Sequence, residues 1–156
     1  MERLAAQVAA LLMKRKETLA VAESSAGGLI NAALVAVPGA SAFYLGGCIV
    51  YTEASRTALL SITRDEMKGI RSASEPYARL AARRVREKLG ATWGLCETGA
   101  SGPTGNRYGD APGHACLAVS GPIEKAITVE TRSADRAANM QVFATRALEL
   151  LASCLR

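Results

Sequence analysis

The stretch that decides the fold is Ala20–Ile30, A-V-A-E-S-S-A-G-G-L-I: an apolar run, an acid, two serines and two glycines, then apolar residues again. Thr18 to Ala22 reads as a short buried strand, and Leu29 to Val37 (L-I-N-A-A-L-V-A-V) as an almost wholly apolar helix stopped by Pro38-Gly39. The stretch is therefore a strand-to-helix junction. On pattern alone two readings of its serines stand. Ser24 or Ser25 caps the helix while Gly27 and Gly28 permit close packing, or one of them is a nucleophile at a helix start whose unpaired amides hold an anion.

Working outward, Leu4, Val8, Leu11 and Leu12 recur at helical spacing, so Glu2 to Lys16 reads as an opening amphipathic helix. A second strand, Gly47 to Tyr51, runs into Thr52-Glu53 and a short helix through Leu60. Ser74-Glu75-Pro76 opens a long helix to Leu89, with Ser74 as N-cap, Pro76 in the first turn and Gly90 as the stop. Thr92 to Glu97 is a third strand, followed by the glycine- and proline-rich segment Thr98 to Gly113, too long for mere connection. His114 to Ser120 and Ala126 to Thr131 form a strand pair turning at Gly121-Pro122, and Ser133 or Asp135 caps a final helix to Leu155. This order predicts one α/β domain over residues 1–156, a three-layer α/β/α sandwich with a mixed, largely parallel sheet.

Composition narrows the function classes. Hydrophobic residues make up 49% of the chain but aromatic ones only 4%, which implies an aliphatic core and few platforms on which bases could stack. The net charge of +5 suggests anionic partners only if the cations share a face. They are scattered, and Arg79, Arg83, Arg84, Arg86 and Lys88 read as the solvated side of one helix, so nucleic acid is not expected. Cys48, Cys96, Cys116 and Cys154 lie far apart inside or beside apolar runs and read as reduced, buried residues of a cytoplasmic protein. No apolar run reaches membrane-spanning length and the first residues lack a signal peptide's order, so neither membrane nor secretion is expected. With one histidine and no cluster at ligand spacing, no metal or other cofactor is expected.

Three segments end strands and enter glycine-rich turns or helix starts: Glu23 to Gly28, Tyr51 to Arg56 and Thr98 to Gly105. In open α/β sheets the carboxyl ends of strands border the ligand crevice, so these segments are predicted to converge on one site. T-G-A-S-G-P-T-G offers hydroxyls and amides suited to a phosphate or polar ring substituents; it is neither a Walker loop nor a dinucleotide fingerprint. His114 reads as a structural residue or as a base.

Taken together, the segments resemble the C-terminal domain of the competence-damage-inducible protein CinA family, whose stand-alone members are nicotinamide-nucleotide amidases. The likeness rests on A-E-S-S-A-G-G for the family's A-E-S-C-T-G-G, V-P-G-A-S at Val37 to Ser41, G-G-C-I-V-Y at Gly46 to Tyr51, T-G-A-S-G-P-T-G for T-G-I-A-G-P-x-G, and A-P-G at Ala111 to Gly113. The resemblance implies hydrolysis of nicotinamide mononucleotide to nicotinate mononucleotide and ammonia without metal. It assigns Ser24 as nucleophile, Tyr51 as an assisting group, and Glu23, Ser25, Gly27, Gly28, Thr98, Gly99, Ser101 and Gly102 to the substrate loops. Arg136 matches a G-D-R motif and is a candidate for the phosphate, or an ordinary helix-surface arginine. The resemblance further implies self-association and a chain without the family's frequent N-terminal pyrophosphatase domain.

The family's base, a lysine, is Arg56 here, in Y-T-E-A-S-R. A desolvated lysine can take a serine's proton, whereas arginine stays protonated. Three readings follow: an amidase whose base is His114 or another lysine, a nucleotide-binding or regulatory homologue in which Arg56 pairs with the ligand's phosphate or carboxylate, or a hydrolase of another small amide or ester.

Overall fold

The computed structural model describes residues 1–156. The elements run α1 (Glu2–Arg15), β1 (Leu19–Glu23), α2 (Leu29–Val35), a 3-10 turn (Ala40–Ala42), β2 (Tyr44–Ile49), α3 (Glu53–Leu60), α4 (Glu75–Leu89), β3 (Trp93–Ala100), β4 (His114–Ser120), β5 (Lys125–Glu130) and α5 (Arg136–Leu155). One sheet has the order β2-β1-β3-β4-β5. β1 pairs parallel with β2 and β3, and β4 pairs antiparallel with β3 and β5, so every strand but β4 points the same way.

The layers follow from which faces are apolar. β1 is buried along its whole length, as a central strand covered on both sides must be. One face carries α1, α2 and α5, whose Val8, Leu12, Ile30, Leu34, Phe143, Leu148 and Leu151 close over Leu19, Val21, Leu95 and Leu117 of the sheet. The other carries α4, which lays Ala78, Ala81, Ala82 and Val85 on Ala20, Ala22, Cys96 and Ala118. Small residues on both surfaces bring that helix close, which suits a chain rich in alanine and poor in aromatics. The expected three-layer architecture with a mixed, largely parallel sheet is what is observed.

Several element ends differ from the sequence expectation, each for a tertiary reason. β3 runs to Ala100 rather than Glu97, because Thr98, Gly99 and Ala100 pair with Cys116, Ala115 and His114 of β4. The first three residues of the glycine-rich segment are therefore strand. β2 starts at Tyr44 rather than Gly47 and ends before Tyr51, its span set by pairing from Leu19↔Tyr44 to Glu23↔Ile49. Helix α2 stops at Val35; the residue before Pro38 is driven from helical geometry by the proline ring. Ser74, Gly90 and Asp135 cap their helices, so local chemistry alone placed those ends. All four cysteines are free thiols, Cys48 half-buried and the others buried. No helix is long and apolar enough to cross a membrane.

Candidate functional site

The turn Ser24–Gly28 is built around two buried carboxylates. Glu23, at the end of β1, accepts hydrogen bonds from the amides of Gly28 (3.1 Å), Ile30 (3.0 Å) and Asn31 (2.8 Å), and from the Asn31 side chain. Glu97, on the neighbouring strand β3, accepts from the amides of Ser24 (3.0 Å) and Ala26 (2.8 Å) and from the Ser25 hydroxyl. Neither serine caps α2. Its N-cap is Gly28, at φ 104, with no side-chain hydrogen bond of its own, and Glu23 does the capping from one strand-end away. Gly27 (φ 68) and Gly28 supply the left-handed backbone that lets the chain double back over Glu23.

The amides expected to be open to an anion are thus largely spent on the protein's own acids. Gly27 and Leu29 donate to the carbonyls of Ser24 and Ala26, and of the turn's N–H groups only that of Ser25 finds no acceptor. Burial pushes the Glu97 carboxyl up, against the pull of the Ser25 hydroxyl and the two amides. Asn31 also accepts from the Tyr44 hydroxyl, which burial and the Glu23 charge push up to about 12, keeping it a donor. Ser24 differs from Ser25: it is half-exposed and its hydroxyl makes no hydrogen bond, which leaves Ser24 the presented group and Ser25 a strut.

Ser24 opens onto a cavity of about 220 Å3 whose walls include Tyr51, Arg56, Ser72, Tyr77, Thr98 and Gly99. It adjoins an outer chamber of about 480 Å3 that shares Tyr51, Arg56 and Tyr108 and adds Arg64 and Arg107. The three predicted segments do meet, and Ser24, Tyr51, Arg56, Thr98 and Gly99 line one cavity. Thr52 and Ser55 form a reciprocal cap at the start of α3, which aims Arg56 inward from the first turn. Arg56 is 9% exposed; its Nη1 donates to Ser72 Oγ (3.1 Å), its guanidinium lies 5.4 Å from the Tyr77 ring centroid, and its Nε has no partner. Tyr77, buried beside it, has its hydroxyl pKa pushed far up by desolvation. Ala73, in the same wall, holds a left-handed backbone (φ 53), its amide donating to Thr98 Oγ1 (3.2 Å) and its carbonyl accepting from His114 Nε2 (2.8 Å).

The other predicted site residues support this cavity from outside it. Ser101 donates to the Ser25 carbonyl (3.1 Å). Arg136 spends its guanidinium on the Gly102 carbonyl (Nη1, 2.5 Å) and the Tyr51 hydroxyl (Nη2, 3.1 Å), tying the segment after β3 and the segment after β2 to the start of α5. It is neither a plain surface residue paired with Asp135 or Glu130 nor part of the cavity wall.

His114 is not placed to serve Ser24. It lies outside the cavity wall, its Nδ1 bonded to Glu130 and its Nε2 to the Ala73 carbonyl, with Asp110 3.7 Å from Nε2. Burial opposes its charge, yet Glu130, the Ala73 carbonyl and Asp110 together hold its pKa above the ordinary value. No lysine lines either chamber. Glu53, the carboxylate in both walls, is bonded to Arg64 (2.5 Å). The expectation of His114 or a displaced lysine as base is therefore not met. No three His, Cys, Asp or Glu side chains converge as a metal ion requires.

Sequence reasoning missed Glu97 as part of the site. The available signal was an acid within the apolar run W-G-L-C-E, since a buried carboxylate must face donors, but nothing local says that those donors sit 71 to 73 residues earlier. Tyr77 and Ser72, which fix Arg56, were missed for the same reason.

Comparison with known proteins places these features in context. A family profile described as the CinA C-terminal domain matches residues 1–155. A CinA-like protein of Prochlorococcus marinus (strain MIT 9313) is 43% identical over 121 residues, which cover 78% of this chain and 28% of that protein. A CinA-like protein of Anaeromyxobacter sp. (strain Fw109-5) is 37% identical over 155 residues, covering 99% of this chain and 38% of that protein. The chain thus spans about a third of the length of the curated relatives it matches. Crystal structures of CinA superfamily proteins from Klebsiella pneumoniae 700603 (TM-score 0.92, 23% identity, 99% of this chain and 96% of that one) and Escherichia coli (TM-score 0.91, 24% identity, 97% and 89%) share the fold.

Proposed function

This chain belongs to the CinA C-terminal domain family, and from that premise we propose that it binds a pyridine mononucleotide at an amidase-type site and hydrolyses the carboxamide at most slowly. The observation that carries the reading is the single cavity shared by Ser24, Tyr51, Arg56 and Thr98, with a cation where proton removal would need a base.

The chemistry in question is attack of Ser24 Oγ on the carboxamide carbon of nicotinamide mononucleotide, expulsion of ammonia and hydrolysis of the resulting ester to nicotinate mononucleotide. The serine hydroxyl must lose a proton as the carbon–oxygen bond forms, and the amide nitrogen must gain one as it leaves. Arg56 can do neither task as a base, because its guanidinium never gives up its charge; it can hold an anion. Thr98 and the Tyr51 hydroxyl supply polar contacts beside it.

A second reading, an active amidase in which Tyr51 relays the proton, draws on the place of Tyr51 in the cavity wall and on the Arg136 contact that fixes its hydroxyl. Incubation of purified protein with nicotinamide mononucleotide, with ammonia and binding both measured, separates the two. Saturable binding with negligible ammonia supports the first; ammonia release abolished by Ser24→Ala and by Tyr51→Phe supports the second. Absence of binding and of release overturns both.

A further inference from the structure

Arg56 is a buried cation with no anion. It is held on two sides, by Ser72 Oγ and by the Tyr77 ring, and its one neighbouring carboxylate, Glu53, is engaged by Arg64. Nε has no hydrogen-bond partner and is sealed from bulk solvent, while Ser72 Oγ and the Tyr77 hydroxyl are the polar groups beside the guanidinium. A charged donor left unsatisfied in the interior is costly, more so than a neutral one. With Nε closed off, the groups that the guanidinium can turn to the cavity are its Nη N–H donors, which match the oxygens of a carboxylate.

We propose that the inner cavity recognises the carboxylate of an aromatic acid, bound by the Arg56 guanidinium, so that this chain prefers the acid to the corresponding carboxamide. This inference rests on the reading of the cavity as a pyridine mononucleotide site. A carboxamide offers one oxygen acceptor and turns an N–H donor toward the guanidinium; a carboxylate offers two acceptors and the missing charge. About 220 Å3 accommodates a six-membered ring with its carboxyl group, and the outer chamber, with Arg107 bonded only to the neighbouring Tyr108 hydroxyl, has a cation for the ligand's second anionic group.

The test compares the affinity of the intact chain for nicotinate mononucleotide and nicotinamide mononucleotide by calorimetry, with benzoate and benzamide as ring-only probes. The acid is expected to bind at least about tenfold more tightly than the amide, the difference between a charge-assisted pair and a neutral one. Arg56→Gln is expected to abolish that ratio, the acid losing at least about tenfold more affinity than the amide. Equal or tighter binding of the amide overturns the inference. So does an Arg56→Gln variant that weakens acid and amide nucleotides alike, since Arg56 would then hold the phosphate. If the variant does not fold, the wild-type ratio decides by itself. Should neither nucleotide bind, protection of the chain by benzoate but not benzamide keeps the carboxylate site and overturns the nucleotide reading; binding of none of the four overturns both.

Discussion

The Glu97 carboxylate accepts the Ser25 hydroxyl across 72 residues of sequence, from one central strand to the turn that follows its neighbour. With the Ser24 and Ala26 amides on the same carboxylate, this contact decides where the Ser24 side chain stands. The serine turn is thus a loop folded around an acid supplied by β3.

Glu97→Ala should leave two amides and a hydroxyl buried without acceptors. A loss of about 3 kcal/mol follows from the cost of unsatisfied groups. For a domain of this size that corresponds to a fall in Tm of roughly 6–12 °C. Glu97→Gln keeps one acceptor oxygen and should fall between the variant and the wild type. Thermal unfolding followed by circular dichroism checks both, and an alanine variant within about 1 °C of the parent would show that the turn stands without Glu97.

Arg136→Ala should weaken nucleotide binding several-fold while changing Tm little, because the side chain is exposed yet fixes the Tyr51 hydroxyl and the Gly102 carbonyl at once. Arg136→Lys should not restore binding, since one ammonium cannot reproduce the fork that spans both oxygens. Titration calorimetry reads the loss; a lysine variant with full affinity would reduce the role of Arg136 to its charge.

Arg56→Lys should raise ammonia release from nicotinamide mononucleotide above that of the parent, and Ser24→Ala in the same background should remove the gain. A positioned general base contributes about 100- to 10,000-fold, so even partial restoration is measurable. No gain in the lysine variant, with the protein folded and the nucleotide bound, would mean that the arginine is not what limits the chemistry.

His114 links stability to pH. Its Nδ1 faces the Glu130 carboxylate and its Nε2 the Ala73 carbonyl, both acceptors, so both nitrogens must carry protons; Asp110 and the Cys116 thiol are its other polar neighbours. Because the folded pKa is raised, the contribution is fully present below the unfolded value of about 6.5 and is lost as pH rises through the folded value. The Tm gap between wild type and His114→Gln should therefore be widest near pH 6 and shrink toward pH 9. A gap that does not change across that range would exclude the imidazolium. Ala73 lines the cavity, so ligand affinity should weaken over the same interval.

Much of the fold was legible because its signals are local. Ser74 with Pro76 two residues on, Gly90, and Asp135 mark helix ends through hydrogen bonds and backbone conformations that involve only their neighbours. The alternation of apolar strands and amphipathic helices implies layers, and the carboxyl ends of β1, β2 and β3 must then border one crevice. Hence the segments Glu23 to Gly28, Tyr51 to Arg56 and Thr98 to Gly105 could be grouped from the residues, the family resemblance singled out Ser24, Tyr51 and Arg56 within them, and these three share one cavity with Thr98 and Gly99.

Partners distant along the chain were not legible. That β3 continues through Ala100 depends on pairing with β4; that Ser25 is a strut and Ser24 is free depends on which of them meets Glu97; that His114 has no role at the serine depends on Glu130 and Ala73. Arg56 shows the division most clearly. Its identity excludes a proton acceptor wherever it lies, because a guanidinium holds its charge in any surroundings. Only packing leaves it buried beside Tyr77 and Ser72 with Nε unpaired, since the balance of charge around a side chain is a property of neighbours gathered from the whole chain.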